Sequence, residues 1–173
     1  RTLMGRYVEF WQVTGDALDF ALETHQVSDS SLREDLMQAY LELSCYPEVP
    51  LALKALCQRG IQCAILSNGS PAMLAAAVEN AELVDRFSAV ISVDPIQIYK
   101  PDPRVYQMAV DELKLAPSQI AFQSSNAWDA VGAAAFGFQV VWVNRFGQQP
   151  ERLGVQGAAE LKTLEGLPDL IGG

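Results

Sequence analysis

The stretch Gln62-Cys63-Ala64-Ile65-Leu66-Ser67-Asn68-Gly69-Ser70-Pro71 decides the fold. Residues 62–66 read as a short buried strand. Ser67-Asn68-Gly69-Ser70 interrupts it with turn formers, and Pro71 opens a helical run over 71–81. An apolar strand, a small-residue turn and a proline-started helix make one β–α step of a parallel sheet. The step recurs: 89–93 is a strand, Pro103–Leu113 a helix, 120–123 a strand, Ala127–Phe136 a helix and Gln139–Val143 a strand. Upstream, 51–59 is a short helix ended by Gly60. Short apolar strands alternating with helices predict an α/β, Rossmann-like layer with a mainly parallel sheet.

Residues 1–46 have another texture. They hold no convincing strand, and the first proline is Pro47. Tyr7, Phe10, Trp11, Ala17, Leu18, Ala21 and Leu22 fall at helical spacing; Leu32, Leu36, Ala39, Tyr40 and Leu43 repeat it. Asp29, Ser30 and Ser31 are candidate caps for the later helix. Residues 1–7 read as the middle of a helix with no cap before it, which gives the expectation that the chain starts late. Pro47 and Pro50 mark a hinge. The expected division is 1–47, a partial helical unit, and 48–173, an α/β core. Residues 145–173, richer in Gly, Gln and Glu, read as surface loop plus a short final helix over 164–171.

Composition excludes several chemistries. Twelve basic and 21 acidic residues in 173 give a net charge of −9. There is no Lys/Arg run to attract phosphate backbones or anionic lipid, so nucleic acid and membrane surfaces are poor partners. No apolar stretch approaches the roughly 20 residues of a spanning helix. His25 is the one histidine, so a multi-histidine metal site is impossible. Cys45, Cys57 and Cys63 have no CxxC spacing and make no disulfide framework; a reducing, cytoplasmic setting fits, with each thiol buried or half-buried.

In an open parallel sheet, ligands bind beyond the carboxyl ends of the strands. Those ends read Ser67-Asn68-Gly69-Ser70, then Asp94 with a loop to Tyr99-Lys100-Pro101, then Ser124-Ser125-Asn126-Ala127-Trp128-Asp129, then Asn144-Arg145. Gly69 supports a tight turn whose backbone N–H groups can hold an anion. Bland alternatives stand beside each. Ser67 and Asn68 could cap the next helix, Lys100 could be a solvated loop charge, Asp129 could serve the helix dipole, and Trp128 and Tyr106 could be core. Convergence on one sheet edge points to an anion-binding catalytic site.

Three separated motifs, Leu66-Ser67-Asn68-Gly69, Lys100-Pro101 with Tyr106, and Ser124-Ser125-Asn126-Ala127-Trp128-Asp129, resemble the haloacid dehalogenase superfamily, and more narrowly the L-2-haloacid dehalogenases. The segment Leu3-Met4-Gly5-Arg6-Tyr7 with Phe10 is similar to the start of that family's helical cap. The resemblance runs from about residue 1 to 145 and implies a parallel core with a helical cap. It also implies a covalent mechanism. An aspartate on the first strand displaces halide from C2 of a small 2-haloalkanoate with inversion, and water hydrolyses the ester to a 2-hydroxy acid. That nucleophile belongs to an Asp-x-Tyr-Gly-Thr type segment. No DxxGT occurs in the 173 residues, so the first, central strand is expected to be missing and this chain alone inactive.

The resemblance assigns the remaining roles residue by residue. Ser67 would bind the substrate carboxylate and Asn68 the halide. Lys100 would keep the nucleophile ionised. Tyr106 and Ser124 would support Lys100 and the nucleophile. Asn126 and Asp129 would position and activate water, with Asp129 as general base or as holder of Lys100. Phe10 and Trp128 would wall the alkyl and halogen groups. Gln123 departs from the usual apolar residue before Ser124. The single carboxylate in 124–129 makes a poor Mg²⁺ site, so no metal and no cofactor are expected. The helical unit's apolar faces could serve a homodimer. A phosphatase of the same superfamily and a non-catalytic α/β binding module are the alternatives.

Overall fold

A computed structural model describes residues 1–29, 31–154 and 159–171. Helices α1 (Phe10–Thr24) and α2 (Leu32–Leu41) come first, then α3 (Val49–Gln58). The α/β part follows as β1 (Ala64–Ser67), α4 (Pro71–Asn80), β2 (Ala89–Ser92), α5 (Pro103–Leu113), β3 (Ala121–Ser124), α6 (Ala127–Phe136), β4 (Gln139–Val143), β5 (Ala159–Leu161) and α7 (Leu167–Leu170).

Local chemistry starts and stops the helices as expected. Ser70, not Ser67 or Asn68, caps α4, its hydroxyl accepting from the Met73 N–H at 3.5 Å, with Pro71 next. Asp102 caps α5 by accepting from the Arg104 N–H at 3.0 Å, again ahead of a proline. Helix α6 ends at Gly137, whose φ of 112° is open to glycine. Asp29 accepts from the Ser31 and Leu32 N–H groups at the start of α2; Ser30, the other candidate cap, lies outside the described residues.

All strand pairs are parallel. They form two sheets, β1–β2 and β3–β4–β5, and among the described residues no ladder joins β1 to β3. The main core lies between the strands and α5 and α6, around Ile91, Tyr106, Ala130, Ala133, Phe138 and Val140. Alanines 130 and 133 let α6 approach β3 and β4 closely. A second cluster of Leu56, Val141 and Leu167 seats α3 and α7 on the other face of β4.

Four sequence expectations are corrected. Residues 1–7 are no helix interior: Thr2–Met4 is a single 3-10 turn closed by Gly5 at φ 64°, and α1 begins at Phe10. Strand β5 falls where loop was expected; Ala-Glu-Leu has no apolar run to announce it, and it exists because it pairs with β4. Cys57 is exposed, while Cys45 and Cys63 are half-buried as expected. Helix capping at 67–68 moves to Ser70, as above. Among the described residues, no helix is long and apolar enough to cross a membrane.

Candidate active site

The strand ends build one polar centre on Asp129. This residue lies in the first turn of α6 and is 3% exposed. Its carboxylate accepts three hydrogen bonds: from Lys100 Nζ to Oδ2 at 2.9 Å, from Ser124 Oγ to Oδ2 at 3.0 Å, and from Tyr106 Oη to Oδ1 at 2.9 Å. A buried carboxylate is tolerated only when paired and hydrogen-bonded, and here both conditions hold. The dipole alternative for Asp129 is therefore insufficient.

Each partner is held by its own element. Tyr106 is fully buried on α5, ringed by Phe122, Phe136 and Phe138, with centroids 5.8–5.9 Å away. Core and polar readings of Tyr106 are both satisfied: its ring packs and its hydroxyl donates. Burial, reinforced by the neighbouring Asp129 carboxylate, pushes its phenol well above the usual tyrosine range. Lys100 is no solvated loop charge. Its side chain is 10% exposed, its ammonium lies 5.1 Å from the centre of the Phe122 ring, and its backbone N–H donates to Asn68 Oδ1 at 2.9 Å. Lys100 therefore links the end of β1 to the Ser124–Asp129 end of β3 across the two sheets.

The turn after β1 is shaped by Ser67, whose hydroxyl accepts from the Gly69 N–H at 3.0 Å. Gly69 is tight: a Cβ there would lie 3.2 Å from Leu74 Cδ2 and 3.3 Å from Ser67 Oγ. Asn126 stands at the N-cap of α6, exposed, its backbone N–H donating to Ser124 Oγ at 3.2 Å. Its side chain makes no hydrogen bond with Asp129 among the described residues. Both Asp129 oxygens already accept hydrogen bonds, Oδ2 from Lys100 and Ser124 and Oδ1 from Tyr106. The geometry is that of a holder of Lys100.

Phe10 and Trp128 have different neighbours. Phe10, half-buried at the start of α1, packs edge-on against Tyr99, ring centroids 5.9 Å apart. Trp128 lines an open, mainly apolar concavity of about 630 Å³ with Pro101, Val131, Gly132 and Leu153. Gln123, the departure on β3, has its Nε2 buried without a hydrogen-bond partner among the described residues.

Sequence reasoning missed four contacts that brace this edge. Arg145, after β4, pairs with Glu48 in the hinge and lies 3.6 Å from the centre of the Tyr46 ring. Tyr7 donates to Asp94 Oδ1, and Tyr99 donates to the Val8 carbonyl. The only available signal was position: Asp94 and Arg145 both follow strands.

A family profile described as haloacid dehalogenase-like hydrolase matches residues 2–137. (S)-2-haloacid dehalogenase 1 of Pseudomonas sp. (strain CBS-3) is 48% identical over 172 residues, covering 99% of this chain and 76% of that protein. A solved dehalogenase with an intermediate complex matches at TM-score 0.96 and 44% identity, over 100% of this chain and 77% of that one. The L-2-haloacid dehalogenase from Xanthobacter autotrophicus with chloropropionic acid covalently bound matches at TM-score 0.90 and 37% identity, over 99% and 79%.

Proposed function

Because the chain belongs to the haloacid dehalogenase-like hydrolase family, we propose that it serves the hydrolytic dehalogenation of small L-2-haloalkanoates to 2-hydroxy acids with inversion, through a covalent aspartyl ester. The observation that carries this reading is the buried ammonium of Lys100, held on Asp129 at the carboxyl ends of the strands. The ammonium donates one of its three N–H groups to Asp129, which leaves it able to orient a second carboxylate. The (S)-2-haloacid dehalogenases among its relatives, and the covalently bound chloropropionic acid in one of them, support the substrate class.

In this reading the nucleophile is an aspartate carried on a strand outside the 173 residues, seated between β1 and β3. Its carboxylate oxygen attacks C2, the carbon–halogen bond breaks, and halide leaves with the bonding pair. Water then cleaves the ester, returning the carboxylate and releasing the 2-hydroxy acid and a proton. Ser67 and the Gly69 turn bind the substrate carboxylate, Asn68 receives the halide, and Asn126, exposed beside Ser124, orients the water. Asp129 keeps Lys100 in place. Phe10 and Trp128 give the apolar surface for the alkyl group, and residues 1–47 act as part of a helical cap over the 48–173 core.

Halide release from L-2-chloropropionate tests the proposal. The enzyme completed by an Asp-x-Tyr-Gly-Thr strand ahead of residue 1 is expected to release chloride, and the 173-residue chain alone is not. Hydrolysis of a generic phosphate ester with added Mg²⁺ and no chloride release by the completed enzyme would overturn it in favour of a phosphatase.

A further inference from the structure

We propose that Tyr7 and Tyr99 are positioning residues that latch the start of α1 onto the loops carrying Lys100 and Asn68, and so hold Phe10 as an aromatic wall beside the reacting groups. The role rests on the dehalogenase reading; the latch itself rests on geometry. Between the Thr2–Met4 turn and α1, Tyr7 and Val8 make no backbone–backbone hydrogen bond among the described residues. Two phenols supply the restraint, in opposite directions. Tyr7 of this segment donates to Asp94 Oδ1, and Tyr99, next to Lys100, donates back to the Val8 carbonyl at 2.5 Å. Their rings pack 5.1 Å apart, and Phe10 closes edge-on upon Tyr99.

The acceptor Asp94 is wired into the site. It follows β2, and its N–H donates to Ser92 Oγ at 3.2 Å; that hydroxyl, buried, donates to the Gly69 carbonyl at 2.8 Å. Gly69 in turn donates to Ser67, while Asn68 of the same turn accepts from the Lys100 N–H. A continuous hydrogen-bonded path thus runs from Tyr7 to the turn proposed to bind substrate carboxylate and halide. It does not pass through Asp129, Tyr106 or Ser124. Loosening it should disturb the seating of substrate while leaving the Lys100–Asp129 pair intact.

Tyr7→Phe and Tyr99→Phe delete only the donors and keep the rings. In the completed enzyme, each is expected to raise KM for L-2-chloropropionate roughly 5-fold, the worth of one hydrogen bond, with kcat changed less than about 2-fold. A fall in kcat at constant KM would overturn the positioning role. Amide hydrogen exchange on the 173-residue chain needs no turnover: exchange over residues 8–13 should quicken roughly 5-fold in both variants, with residues 127–136 unchanged. Unaltered exchange over 8–13 would overturn the latch. Absence of halide release from the unsubstituted completed enzyme would count against the dehalogenase reading, and the exchange result would still decide the latch.

Discussion

The ammonium of Lys100 sits 2.9 Å from Asp129 Oδ2, and this buried pair bridges two parallel sheets that share no ladder among the described residues. Lys100 is anchored at the β1 end by the Asn68 side chain, and Asp129 at the β3 end by Ser124. The pair therefore sets the spacing between the sheets as well as the charge at their edge. Breaking it should be felt in both stability and chemistry.

Asp129→Asn removes the counter-charge and leaves Lys100 buried and unpaired. We expect a loss of about 3 kcal/mol, in the range for a broken buried pair, read from urea unfolding of the 173-residue chain. In the completed enzyme kcat should fall roughly 100-fold, the order that general acid–base and positioning groups contribute. Lys114→Ala, at the far end of α5, should leave both unchanged; equal effects from the two variants would sink the assignment.

Gly132→Ala tests the packing beneath the centre. A Cβ there would lie 2.6 Å from Tyr106 Oη and 2.7 Å from Pro101 Cβ, so both neighbours must give way. We expect a cost of about 2 kcal/mol, together with loss of the Tyr106–Asp129 hydrogen bond. Because one of the two clashes is with the hydroxyl, adding Tyr106→Phe should cost less than the sum of the two single changes. Strict additivity in denaturant melts would refute the mechanism.

Alkaline stability should report Tyr106. Its folded pKa is raised, so its contribution is fully present below the unfolded value near 10 and is lost as pH rises towards the folded one. The half-buried Cys63 thiol, which desolvation pushes up to about 11, acts with the same sign. The fall in unfolding free energy above pH ~10 should be shallower in Tyr106→Phe than in the unsubstituted chain. An identical slope would show that Tyr106 does not carry it.

Acid stability should report Glu48. Burial raises its pKa, but the Arg145 guanidinium and the backbone N–H groups of Glu48 and Leu164 outweigh that and hold it below the usual carboxylate range. A depressed folded pKa contributes stability above the unfolded value, about 4.3, which is lost as pH falls through the folded pKa. Glu48→Gln should flatten the acid limb below that pH, and Arg145→Gln should flatten it equally. Additive effects in the double variant would break the pairing.

The β–α steps, the parallel pairing and the places of Ser67 and Ser124 at strand ends are legible in the sequence because each rests on local rules. Apolar runs make strands, Ser70-Pro71 and Asp102-Pro103 start helices, and polar residues directly after strands must lie at one sheet edge. Strand β5 was not legible, since three residues without an apolar run become a strand only by lying beside β4. Nor were the Tyr7–Asp94 and Glu48–Arg145 contacts, which join residues 87 and 97 positions apart. No spacing encodes such pairs; they form where packing brings a donor to an acceptor. The surroundings of Asp129 were likewise tertiary. By itself Asp129 reads as a base, a holder or a helix-dipole acid, and only the folded chain brings three donors, from β3, α5 and the Lys100 loop, onto its carboxylate. Sequence determined which chemical groups reach the edge, because strand and helix periodicity are local. Tertiary structure decided which of them touch, because burial and hydrogen bonding act between elements.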